Sequence, residues 1–190
     1  MWWAQLLNTI TAILDAGAGG GGGAYESIAT ATGTGSSGTI TFSSIPSTYT
    51  SLQIRLNGRS TNASAARTFY TKFNSDSSFI YAIHQLQGNG TAASANAGTS
   101  QWLESGAVTA ASTASNIMGV SILDLHNYAS TTQNKTLRSI TGYDTNGAGI
   151  IYLGSGLWPS TSAVTSVTLE LASGNWTTDT TISLYGIKGA

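Results

Sequence analysis

The chain has 190 residues, a formal net charge of −1 and 8% charged side chains, about a third of the roughly 25% usual for soluble domains. It has no cysteine, which excludes disulfide frameworks, thiolate metal sites and cysteine nucleophiles together. Near-neutrality without a basic stripe argues against nucleic acid, while Thr and Ser are the commonest residues and Gly numbers 23, a profile that suits a packed structural or adhesive β-domain.

The first residues differ from all that follow. Trp3, Leu6, Leu7, Ile10, Ile13 and Leu14 recur at the i, i+3, i+4, i+7 spacing of one helical face, and Trp2 widens the stripe. The spacing predicts an amphipathic helix over 1–16, with a spiral about 20 Å long. It lacks the basic n-region of a signal peptide, the roughly 20 apolar residues of a membrane span and the basic polar face of a surface-lying helix; no membrane insertion is expected. Such a stripe either packs back on its own domain or docks into a partner or its own copies. Residues 17–24 are a glycine-rich tether, which favours docking. Trp2, Trp3, Leu6, Leu7, Ile10, Ile13 and Leu14 are the expected anchoring residues.

From Tyr25 the period changes to two. Strands are expected near 25–32, 38–44, 50–57, 67–73, 79–86, 100–105, 116–125, 135–143, 150–154, 163–171 and 180–187. Ile117 to Leu125 is apolar at both parities, the mark of a central strand. Turns are expected at Asn57-Gly58, Asn89-Gly90, Asn146-Gly147 and Gly174-Asn175. Strands this closely spaced, with no helical segment between them, predict an all-β fold: an antiparallel, jelly-roll-like β-sandwich over 25–190.

Few residues look like chemistry. Gly33-Thr-Gly-Ser-Ser-Gly38 matches the dinucleotide fingerprint in letters, but a strand pattern follows it where a helix must; it reads as a hairpin loop. Asp124 and His126 share one strand face, and Tyr128 follows at the same parity. A lone Asp–His contact without a third ligand reads as structural. His84 reads as a half-buried strand residue. Glu26, Glu104 and Glu170 stand far apart with no motif uniting them as a hydrolytic pair. Asn74–Ser78 and Asp144–Gly147 are oxygen-rich but lack a closing acid for calcium and read as turns. Trp102, Trp158 and Trp176, with Tyr70, Tyr81, Tyr143 and Tyr152, are core or subunit-interface residues or, alternatively, a sugar-stacking platform. No catalytic residue, metal or cofactor is expected.

Tyr25-Glu-Ser-Ile-Ala-Thr30, the run Gly38-Thr-Ile-Thr-Phe-Ser-Ser-Ile-Pro-Ser-Thr-Tyr-Thr-Ser-Leu-Gln-Ile-Arg55, Ser155-Gly-Leu-Trp158 and Ser183-Leu-Tyr-Gly-Ile-Lys-Gly189 together resemble a family of small virion proteins of tailed bacteriophages. The resemblance spans about 25–190. It implies a β-sandwich displayed on the virion surface as a capsid decoration or cement protein, a head fibre or a tail fibre, and it supplies no catalytic residues. The partners it implies are other virion proteins of capsid or tail. A host glycan is the alternative partner. The charge-poor surface suits subunit contact, so a homo-oligomer is expected, a trimer in particular.

Overall fold

The computed structural model describes residues 23–78 and 80–189. The anchoring helix expected over 1–16, with Trp2, Trp3, Leu6, Leu7, Ile10, Ile13 and Leu14, and residues 17–22 of the tether lie outside the described residues. Twelve strands follow: β1 (Tyr25–Thr32), β2 (Thr39–Phe42), β3 (Ser51–Gly58), β4 (Ala66–Phe73), β5 (Tyr81–Gly88), β6 (Ala93–Ser100), β7 (Leu103–Thr109), β8 (Gly119–His126), β9 (Lys135–Asp144), β10 (Gly149–Trp158), β11 (Val167–Leu171) and β12 (Thr181–Ile187). They form an antiparallel sandwich of two unequal sheets, ordered β1-β12-β3-β8-β9-β10-β5-β6 and β2-β11-β4-β7. A jelly roll divides eight strands between two sheets; here twelve are split eight and four.

The pleat sends alternate side chains to opposite faces, and the inward set makes the core. Leu52, Ile54 and Leu56 of β3, Leu123 and Leu125 of β8 and Ile182 and Leu184 of β12 face Phe69 and Phe73 of β4, Leu103 of β7 and Val167, Leu169 and Leu171 of β11. β8 lies fourth of eight, central as its apolar run implies. Only one of its faces is covered, however: Leu123 and Leu125 are buried, whereas Val120 and Ile122 are exposed.

Three expectations are corrected. Asn57-Gly58 is no turn; it ends β3, and a Cβ on Gly58 would meet the Trp176 ring at 3.1 Å. Pairing of Asn57 and Gly58 with Val120 and Gly119 of β8 carries the strand through both residues. Gly33–Gly38 is no hairpin loop, because β1 and β2 belong to different sheets. It crosses between them, pinned by the Gly33 amide donating to Thr180 and the Gly35 amide to Trp176. Finally, β6 replaces an expected loop. Ala93-Ser-Ala-Asn-Ala-Gly-Thr-Ser100 has no apolar alternation, and the Asn89-Gly90 hairpin lays it against β5 in register from Gly88↔Ala93 to Tyr81↔Ser100.

Two buried cations organise the loops. The Arg59 guanidinium donates to the carbonyls of Ala114 (2.9 Å), Ile117 (3.1 Å) and Thr113. The Lys135 ammonium, wholly buried, donates to the carbonyls of Ser130 (2.8 Å), Gln133 (2.6 Å) and Thr161 (3.3 Å), and burial pulls it below its usual range. Lys135→Ala is expected to leave those acceptors unpaired and to cost roughly 2–3 kcal/mol, the scale of hydrogen bonds to a charged group. A lowered urea midpoint with an unchanged m-value is the expected measurement.

Candidate functional site

The sandwich presents two broad outer faces, and the residues with chemical or binding potential divide between them. On the small sheet, β4 turns Phe69, Thr71 and Phe73 inward and Tyr70 and Lys72 outward. Cross-strand register then sets Thr39, Glu170, Tyr70 and Glu104 in one row. Trp102, just before β7, packs on Tyr70 with ring centroids 4.8 Å apart. The Lys72 ammonium lies 5.2 Å from the Trp102 ring centroid and 2.7 Å from the Glu170 carboxylate. Glu104 is half-buried at the step where the small sheet ends. Burial pushes its carboxyl up against the opposing effect of Gln85, and it in turn helps to raise Tyr70 and Tyr152. Thus Glu104 and Glu170, far apart in sequence, flank Tyr70, about 10 Å apart at two strand spacings. Only the strand register brings them together.

Of the three tryptophans read as core or subunit-interface residues or, alternatively, a sugar-stacking platform, only Trp102 reaches the surface. Trp158 is 3% exposed and Trp176 fully buried, which makes both core residues and removes them from any contact face. Trp158 stacks on Tyr81 (6.4 Å, 17°), lies against Phe73 and donates its indole N–H to Asp76 at 2.8 Å. Trp176 lies against Phe69 at 6.2 Å, and its indole N–H has no partner among the described residues. Trp158 ends β10 at an inward parity, whereas Trp176 lies between β11 and β12 and pairs with Ser60 in an isolated antiparallel bridge. Tyr81 is buried with them, its hydroxyl pushed up to about 12 by burial. Tyr143 and Tyr152 are half-buried.

The outer face of the large sheet carries the other candidates. Asp124 and His126 share a face as their parity predicts, yet they form no dyad. Asp124 accepts from Gln53 (2.8 Å) and Arg138 (2.9 Å). Burial acts to raise its carboxyl, but these bonds and the Arg138 and His126 charges outweigh it and hold the group low. His126 Nδ1 pairs with the Ser51 hydroxyl at 2.8 Å. Tyr128 does not continue the face; it is buried, its hydroxyl donating to the Pro46 carbonyl. His84, expected half-buried, is exposed. Glu26 pairs with Lys188 at 3.2 Å on the distant edge strand β1.

Both oxygen-rich loops are turns. Asn74 and Ser75 hold φ of 51° and 56°, and Asp76 accepts from Ser78 and from Trp158. Asp144 accepts from the Asn146 amide at 2.6 Å within the β9–β10 hairpin. Among the described residues no group of three or more His, Asp or Glu could hold a metal ion.

Beside the row His84, Ser155, Arg138 and Asp124 the large sheet is aliphatic. Leu86, Leu153, Ile140 and Ile122 lie side by side across four strands. Gly88, Ile151, Gly142 and Val120 form the next row. Sequence reading missed this belt because alternating strands were expected to hide their apolar parity.

Two outcomes follow from these positions. Trp158→Phe should destabilise more than Trp176→Phe, because it strips a hydrogen bond from the Asp76 carboxylate, whereas the latter removes a donor that is already unpaired; denaturant unfolding of the pair reads the difference. Glu104→Gln should raise stability at neutral pH. The raised carboxyl means that wild-type stability is full below the unfolded value near pH 4.5 and is lost as pH rises through the folded value. The variant's advantage should therefore vanish in acid, as urea midpoints at acidic and neutral pH will read.

No family model matches the chain, and no curated protein matches it.

Proposed function

We propose that this chain is a non-enzymatic structural protein of a tailed-phage virion: a capsid decoration, cement or head-fibre protein, held on the particle surface by residues 1–16 and displaying an oligomeric sandwich. The observation that carries this reading is where the reactive side chains go. His126 is bound to Ser51, Asp124 to Gln53 and Arg138, Asp76 to Trp158, and Arg59 and Lys135 to loop carbonyls. These groups hold the fold together, and what the domain offers outward is sheet surface. The resemblance of Tyr25–Thr30, Gly38–Arg55 and the C-terminal run to small virion proteins supports the same reading.

Attachment through the N-terminal stripe is energetically adequate. Burying a Trp, Leu or Ile is worth roughly 1.5–3 kcal/mol, so the seven apolar residues bring on the order of 10 kcal/mol gross. Association and ordering of the glycine tether take back a sizeable part, and several anchors in one oligomer raise the effective concentration of each other. Full-length Leu6→Asp/Ile10→Asp is expected to stay folded by circular dichroism and to lose incorporation into particles. Particles decorated by this variant at wild-type occupancy would move the attachment site into the sandwich.

The outward Tyr70–Trp102 pair favours a second reading, a tail-fibre module that stacks host surface sugars on this aromatic face. Binding of host polysaccharide that is abolished by Trp102→Ala, in a variant that still incorporates into particles, would select it over the first.

A further inference from the structure

We infer that copies of this chain meet through the aliphatic belt on the outer face of the large sheet, so that the occupant of the belt is a second copy of the same protein. This rests on the oligomer in the reading above and not on attachment to a particle.

The belt is large and continuous. Leu86, Val120, Ile122, Ile140, Ile151 and Leu153 are each 45–60% exposed and occupy four adjacent strands. Together they expose on the order of 600 Å², the top of the roughly 300–600 Å² that the largest patch of a monomer reaches. With the neighbouring row Ala93, Ala95 and Ala97 of β6, the face approaches the ~800 Å² a side that a standard interface buries.

Its chemistry suits a copy of itself. Within its four strands the belt carries no charged side chain; the adjoining polar row carries Asp124 and Arg138 closed on each other at 2.9 Å, and Arg55, which ends the Ile122 row on β3, lies 5.3 Å and 5.0 Å from the Tyr25 and Tyr185 ring centroids. Two such faces can therefore meet over their aliphatic centre with Arg55 left at the rim. Its relief fits as well. In the row Gly88–Ile151–Gly142–Val120, large and absent side chains alternate, so the knobs of one face can seat in the hollows of another.

A glycine is the independent sign. Gly in a strand interior weakens it and often marks close approach of another backbone. Gly88 ends β5 at the hairpin. Gly142, inside β9, is not required by its own fold: its φ lies outside the left-handed region, and an added Cβ would meet its nearest neighbour, the Ile150 carbonyl, only at 3.4 Å. Inward-facing Gly156, by contrast, would drive a Cβ to 2.4 Å from Leu103. What keeps the space above Gly142 useful is a surface arriving from outside.

The test uses full-length protein and sedimentation across a dilution series. Wild type should self-associate, and Ile140→Asp should weaken association about tenfold or more, the effect of a charge driven into an interface centre. Gly142→Ala should also weaken it while leaving the melting temperature of the dilute protein unchanged or higher. Leu153→Cys supplies the chain's single thiol, whose reaction with a maleimide should slow as protein concentration rises. Monomeric wild type would overturn the inference, as would association unaffected by Ile140→Asp. So would a thiol shielded equally at every dilution, since the chain's own N-terminal segment would then be the cover. None of these results alters the outcome of the Leu6→Asp/Ile10→Asp incorporation test, so the two ideas fail separately.

Discussion

A sheet has two faces, and in this protein the covering layer is narrower than the layer it covers. Eight strands at about 4.8 Å spacing make a sheet some 34 Å across, against about 14 Å for four. The small sheet can bury one face of its partner over part of its width. β7, its edge, packs over β8, β9, β10 and β5, and β6 beyond it is exposed along both faces. The half-burial of Glu104 at the step and the exposure of β6 follow from that mismatch, whereas the belt stays uncovered because it lies on the face turned away from the small sheet.

A chain with so few charges uses them structurally. Arg59 and Lys135 are sunk among backbone carbonyls, where each serves as a multivalent donor to loops that have no secondary structure of their own. Buried carbonyls need donors, and a cation reaching three of them is an economical source in a protein with no disulfide to fasten its loops. The same logic consumes Asp76, Asp124 and His126.

The two outer faces are chemically distinct. The small sheet presents Thr, Lys and Glu around one aromatic pair, suited to polar ligands and water. The large sheet presents branched aliphatics interrupted by glycine, suited to another protein surface. Assembly through the second would leave the first pointing outward, an arrangement in which the displayed face and the contact face do not compete.

Most strands were legible in the sequence because inward parity alternates with polar parity, as in Leu52–Ile54–Leu56 and Val167–Leu169–Leu171, and turn chemistry at Asn89-Gly90 and Asn146-Gly147 marks the reversals. β6 was not legible, since Ala, Ser, Asn and Gly carry no period and its pairing comes from the hairpin. The strand list also could not assign strands to sheets. Consecutive β1 and β2 part company at Gly33–Gly38, and Glu104 reaches Tyr70 and Glu170 only through register between β7, β4 and β11. By itself the sequence determined an antiparallel all-β domain, its charge poverty and its core-forming parity, because those are local properties of a pleated chain. Which tryptophans lie inside and which aliphatic residues stay in water was decided by the tertiary structure, because burial depends on which face of each strand another layer covers, and no single strand carries that information.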